Sequence, residues 1–387
     1  MSFKIIFFVI LTLTLISSEV LALSGDCIYE TNEYTGYGCT VKFHEPDNIT
    51  TFTQLGGSHL DGKTDDDVLG VWVYADMTTS KLPEYLCTKF INLQRLFFQR
   101  LVLKEIPQNT FVKCKNLEDL KLQSSLYSSK YITKFPTKLL AGNPKLKVFE
   151  AKLQKLRSLP FKFFENNLNL TRISLKDNKI KVLPTHIFKP LVNLKELILS
   201  KNIIQKVKPG YFETLENLDT LFLNDNQITD IPKNAFTALK NLNDLWISFN
   251  NIKTIHSDSF GQHPKLESIN LMYNSINAID EKFIDNIGIK HLQFFSNNCA
   301  NEQFYDKDGD KTALKEGLKT CFENYQPRVD VVERVDVEEP ETESTTPAVS
   351  MFDQVDGDEM LKNFMILFNQ IKEEMDKQST TTENTTM

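Results

Sequence analysis

Five leucines, Leu170, Leu194, Leu218, Leu242 and Leu266, recur every 24 residues, and no other feature constrains the fold of this chain so tightly. Each opens the same template. Its fourth member is Ile173, Leu197, Leu221, Leu245 or Ile269, and its sixth is Leu175, Leu199, Leu223, Ile247 or Leu271. The ninth is always Asn (Asn178, Asn202, Asn226, Asn250, Asn274) and the eleventh always Ile. An unbroken period of this kind means one unit stacked on copies of itself, each burying an apolar face that it cannot bury alone. Positions four and six lie two apart, so both point to one side of a strand. The expected fold is a right-handed α/β solenoid, each coil giving one short strand to a parallel concave sheet.

The remaining template positions read as structure. Asn at position nine sits where the chain leaves the strand, and its amide can both donate to and accept from backbone groups of neighbouring coils. Phe164, Phe188, Phe212, Phe236 and Phe260 share position nineteen and predict an aromatic spine behind the sheet. Earlier coils begin at Leu93 and Leu117, the second carrying about five extra residues near Leu126 to Lys130. Leu146, Phe149 and Ala151 restore the spacing, although Gln154 replaces the ninth-position Asn. Val71 and Val73, or alternatively Leu69 and Trp72, suggest an irregular first strand. The last coil has Ile289, Leu292, Phe294 and Asn297 in register, after a coil one residue short in which Phe283 takes the spine position.

Around the repeats the chain changes character. Lys4 and the apolar run Ile5 to Ile16 read as a signal peptide (1–22), too short to span a hydrocarbon core that needs roughly 20 apolar residues. No later stretch is long and apolar enough for a membrane span, so a secreted, extracellular chain is expected. Residues 23–67 read as an N-terminal cap, 68–298 as leucine-rich coils (about nine or ten), and 299–325 as a C-terminal cap with a helix over Lys311 to Leu318. Six cysteines in an oxidising compartment argue for three disulfides out of 15 possible connectivities. Proximity favours Cys27–Cys39, Cys87–Cys114 and Cys299–Cys321. Sequons at Asn48, Asn169 and Asn384 fit glycosylation.

The net charge of −7 is unevenly held: Gln326 to Met387 carry 15 acidic and 5 basic residues, or −10, which leaves +3 on the rest. No basic stripe for nucleic acid follows from that balance. Residues 326–350 read as a disordered acidic linker. Leu361, Phe364, Phe368, Ile371 and Met375 then predict a short coiled-coil helix within 351–378, before a disordered tail (379–387). Such a helix is marginal alone and is expected to pair with another copy, a partner or the domain itself.

Two motifs are coincidental. Gly57 to Thr64 matches the phosphate-loop pattern, but Asp65, Asp66 and Asp67 follow where a helix N-terminus should face phosphate. Asp306 to Asp310 resembles a calcium loop with its glycine misplaced and no Glu at position twelve. Neither a cofactor nor a metal is expected. The six histidines form no ligand pair and no nucleophile motif occurs, so catalysis is not expected.

With these residues in view, the chain resembles the typical 24-residue class of extracellular leucine-rich repeat proteins, found in Slit, chaoptin and Toll ectodomains. The stretch Asn226 to Phe236 carries that class's Asn-x-Ile-x-x-Ile-Pro pattern, and the resemblance with both caps covers about residues 25 to 325. The two-cysteine end is similar to secreted insect proteins. Repeats followed by a coiled coil also resemble the mosquito immune leucine-rich proteins that bind complement-like factors. The resemblance implies a horseshoe that recognises proteins on its concave face, at outward positions three, five, seven and eight.

At position five the coils present Phe97, Lys121, Glu150, Ser174, Ile198, Phe222, Trp246, Asn270 and Gln293. Ile198, Phe222 and Trp246 should align, with Phe249, Met272, Tyr273 and Phe295 at positions seven or eight nearby. An outward aromatic patch of this kind is a binding-site signal, since hot spots are rich in Trp and Tyr. The N-terminal half of the face is charged instead, with Arg95, Arg100, Asp119, Lys121, Glu150, Lys152, Arg172 and Lys176. Same-face aromatic pairs also stabilise a sheet without any ligand. The leading expectation is a non-catalytic module binding a protein; the competing one is a structural protein that self-associates, as a homodimer through the concave face or the tail helix.

Overall fold

The computed structural model describes residues 22–32, 36–43, 51–74, 85–101, 105–125, 131–301, 303–305 and 310–328. The expected signal peptide as far as residue 21, Asn48, the expected insertion at 126–130, residues 306–309, the expected linker beyond residue 328, the expected tail helix and Asn384 lie outside the described residues.

The strands that carry the repeats are β4 (Gly70–Tyr74), β5 (Arg95–Leu101), β6 (Asp119–Ser124), β7 (Val148–Lys152), β8 (Arg172–Ser174), β9 (Glu196–Ile198), β10 (Thr220–Phe222), β11 (Asp244–Trp246), β13 (Ser268–Asn270) and β15 (His291–Gln293). They pair in chain order, all parallel, within a 14-stranded sheet, and the connections between them make a solenoid of about nine turns. Position four stands opposite position four throughout: Val71 against Leu96, Leu197 against Leu221, Leu245 against Ile269. This register is enforced by burial, because a one-residue slip would turn both inward side chains out to water. The first strand thus takes Val71 and Val73 inward, leaving Trp72 outward at position five.

Behind the sheet the spine phenylalanines are all buried. Ring centroids are 5.8 Å apart for Phe212–Phe236, 5.1 Å for Phe236–Phe260 and 4.7 Å for Phe260–Phe283. Phe283 reaches this place from α2 (Glu281–Asn286), the helix that stands in the shortened coil. A small second sheet, β12 (Thr254–Ile255) on β14 (Ala278–Ile279), forms on the far side of two of these coils.

Each template asparagine ties two coils. The Asn226 amide donates to Leu199 O and Leu223 O, both at 3.0 Å, while its Oδ1 accepts from Ile204 N–H at 3.0 Å. Asn202, Asn250, Asn274 and Asn297 repeat this pattern. It changes at the Leu146 coil, where Gln154 holds position nine in a left-handed conformation (φ 67°). There Asn178 Oδ1 accepts from Leu153 N–H instead.

Both ends of the sheet are capped. At the N-terminal end β1 (Ala22–Asn32) and β2 (Gly36–Phe43) form an antiparallel hairpin joined by Cys27–Cys39, with β3 (Thr51–Gly56) on its outer edge. Cys87, on α1 (Tyr85–Lys89), is bonded to Cys114. At the other end β16 (Gln303–Tyr305) pairs antiparallel with β15, and Cys299 is bonded to Cys321. The helix expected over Lys311 to Leu318 is α3 (Thr312–Gly317), and a second short helix, α4 (Lys319–Glu323), follows it. The break falls at Gly317 and Leu318, a poor helix former followed by a fully buried side chain. Among the described residues no helix is long and apolar enough to cross a membrane.

Candidate functional site

On the outward face of the sheet the repeats stop repeating. Position five forms a single column in register from Trp72 to Gln293. Ile198, Phe222 and Trp246 are consecutive in it, and the Phe222 and Trp246 rings lie 5.8 Å apart. Trp246 is 36% exposed on a scaffold whose neighbouring Leu245 and Ile247 are fully buried.

Phe249 and Tyr273 occupy position eight of consecutive coils and stack with centroids 4.4 Å apart. Both are 48% exposed, and both hold left-handed backbone, with φ 53° and 51°. The same bend is made by Asp177, Lys201, Asp225 and Ser296 in other coils. Short polar side chains tolerate this conformation; for an aromatic residue it is a strained choice costing about 1–2 kcal/mol. Met272 and Phe295 follow at position seven, both half-buried. The sequence-predicted site thus falls into two neighbouring groups, the position-five column and the pair at the strand ends.

Toward the N-terminus the face becomes an ion-pair network. Glu150 takes Lys121 at 3.6 Å and Arg172 Nε at 3.2 Å, Arg172 also pairs with Glu196, and Lys152 pairs with Asp177 at 2.9 Å. Asp119 lies beside Lys121 at 3.8 Å, but burial dominates and pushes its carboxyl up to about 6. Its Oδ1 is buried without a hydrogen bond.

Beyond the network lies a second aromatic group that was not singled out from the sequence. Trp72 and Phe97 stand in register with rings 5.5 Å apart, and Tyr74 is 47% exposed at the end of the same strand. The Trp72 ring lies across Gly38 and Gly70, where a Cβ would meet it at 2.5 Å and 2.8 Å. The alternation of valines around Trp72 was the available signal. A groove of about 660 Å³ runs along the face from Trp72 and Tyr74 to Phe222 and Trp246.

The phosphate-loop lookalike is a surface turn: Lys63 pairs with Asp67 at 3.2 Å, and Asp65–Asp67 form one 3-10 turn. Asp65 is itself held by His59 (3.0 Å) and Lys89 (2.8 Å). Among the described residues no group of three or more His, Cys, Asp or Glu side chains could hold a metal ion. A second asparagine column, at the residue before each opening Leu, was also missed: Asn169, Asn193 and Asn217 donate to Pro144 O, Leu168 O and Val192 O. The Asn-Leu dipeptide was its signal, and Asn169 is exposed there.

Two family profiles match the chain, a leucine rich repeat over residues 192–252 and a BspA type leucine rich repeat region over 74–134. Among solved structures, the leucine-rich repeat domain of APL1 is similar with a TM-score of 0.54 and 20% identity, over 71% of this chain and 65% of that one. This chain is a leucine-rich repeat solenoid. A chain of the Drosophila Toll–Spatzle complex shares 28% identity at a TM-score of 0.50, over 56% of this solenoid's chain and 29% of its own. TLR13, solved with ssRNA13, matches at 18% identity and a TM-score of 0.50, over 68% and 48%. The leucine-rich repeat solenoid therefore spans under a third of the length of the Toll-complex chain and about two thirds of the APL1 domain. The comparison with curated protein sequences returns no match.

Proposed function

We propose that this protein is a secreted, non-catalytic recognition module that binds a protein partner on the concave face, with Ile198, Phe222, Trp246, Phe249, Met272, Tyr273 and Phe295 as the contact patch. The observation that carries the reading is the stacked pair Phe249–Tyr273, half-exposed and held in left-handed backbone that other coils give to short or flexible polar residues. Strained aromatics kept in water cost the free fold and are recovered in a complex. Three disulfides support an oxidising, extracellular compartment, and the exposed Asn169 would take a glycan on the side of the coils, away from the patch. The Toll–Spatzle complex is a protein–protein assembly built on a related scaffold, which supports the class of ligand.

The test is proximity labelling in the native fluid, comparing the wild type with Trp246→Asp. A partner labelled by the wild type and lost with the variant is expected, with binding weakened by at least ~2 kcal/mol. An identical set of labelled proteins from both would sink the assignment. A second copy of the chain competes for the same patch, and a monomeric sedimentation profile excludes it.

A further inference from the structure

The concave face is chemically polarised along its length. We propose that it takes an extended acidic segment of the partner protein, bearing an apolar anchor at one end. This inference rests on the reading of the face as a protein-binding surface and adds what the partner must present there.

Charge differs between the two halves. Over the coils opening at Leu93, Leu117, Leu146 and Leu170, outward positions hold six cations and three carboxylates, a balance of +3. Over the next five coils they hold Lys201 against Glu196, Asp225 and Asp244, a balance of −2. Lys176, which lines the middle of the groove, and Lys201, next to the lining residue Ser200, are exposed and make no ion pair among the described residues. The aromatic column Phe222–Trp246 lies wholly in the acidic half. A ligand acidic along its whole length would be repelled there, and one that is only apolar would leave the central lysines unanswered.

Size and spacing make the ligand a segment of chain. A groove of about 660 Å³ is the scale of a bound peptide or small ligand rather than a folded domain. From Trp72 to Trp246 there are seven strand steps, or about 34 Å at ~4.8 Å each, which an extended peptide covers in about ten residues at ~3.3 Å. A segment anchored on Phe222 and Trp246 would pass Lys176 within the groove, with Lys201 at its edge, and reach the indole of Trp72. That ring is already seated on Gly38 and Gly70, so it would receive a side chain with little reorganisation. Single-stranded nucleic acid also combines anions with stacking, but its phosphates would run over Glu196, Asp225 and Asp244.

The experiment is panning of a display library of random peptides of about twelve residues against the full chain. Affinities of the enriched peptides are then measured for the wild type, Trp246→Asp and the double variant Lys176→Gln/Lys201→Gln. The expected result is enriched peptides with net negative charge and an aromatic or aliphatic residue toward one end. Each should lose about tenfold or more in affinity with either variant, with a steep salt dependence. Enriched peptides that are neutral or basic, need Trp246 and ignore the lysines would overturn the polarity while leaving the concave-face reading intact. If no peptide depends on Trp246, the linear-segment proposal falls, and proximity labelling decides the broader reading separately. Tighter binding of a single-stranded oligothymidylate than of any enriched peptide would also overturn it.

Discussion

A buried histidine and a half-buried aspartate face opposite ways in pH. His263 is 1% exposed, and burial holds its imidazole below the usual value of 6.5 while Nε2 bonds Phe236 O at 2.9 Å. The folded state therefore prefers neutral histidine. Its contribution is complete above pH ~6.5 and declines as the pH falls, because the unfolded chain takes the proton first. In earlier coils the same place is filled by Asn143 and Asn167, which donate to Phe111 O and Leu140 O. His263→Asn should keep the bond, leave the denaturation midpoint at pH 7.5 nearly unchanged and reduce the loss of stability between pH 7 and 5. Asp119 works in reverse. Its folded value, about 6 against the ordinary 3.8, means that the ionised carboxylate burdens the fold above pH 6 and the burden disappears below pH ~4. Asp119→Asn should raise stability at pH 7.5 by on the order of 1–3 kcal/mol and do nothing at pH 3.5, as read by urea denaturation at both.

At the scale of the element, the spine and the strand column separate stability from recognition. Phe236→Ala opens a cavity between Phe212 and Phe260 and should cost about 3–5 kcal/mol, seen as an early transition in thermal denaturation. Trp246→Asp lies on the other side of the same coil and should leave that transition in place. This division was legible in the sequence because the 24-residue period labels each position as inward or outward, so Leu245 and Trp246 could be told apart without coordinates. Trp72 was harder to place. Its coil lacks the leucine and asparagine marks, Leu69 offered a rival register, and only the hydrogen bonding of β4 to β5 decides between them. The left-handed backbone at Phe249 and Tyr273 left no sign either, since the aromatic letters there contradict what the bend prefers.

For the whole molecule, the two halves of the solenoid are held by different means. From Asn178 to Asn297 the asparagine ladder stitches each coil to the next. On the N-terminal side the ties are the Cys87–Cys114 disulfide, Asn143, Asn167 and a cluster of Phe135, Phe149, Phe163 and Phe164, with Phe135 and Phe163 stacked at 5.3 Å. The device changes at Gln154, where Asn178 still reaches across, donating to Ala151 O at 2.7 Å and accepting from Leu153 N–H at 3.1 Å. In a stack whose coils touch only their neighbours, opening under stress begins at the weakest junction and spreads one coil at a time. The charged network of Lys121, Glu150, Arg172 and Glu196 crosses the outward face at this place. A ligand lying along the groove would act there as a splint across the change of device, so amide hydrogens on both sides of Gln154 would exchange more slowly in the complex than occupancy of the aromatic patch alone could account for.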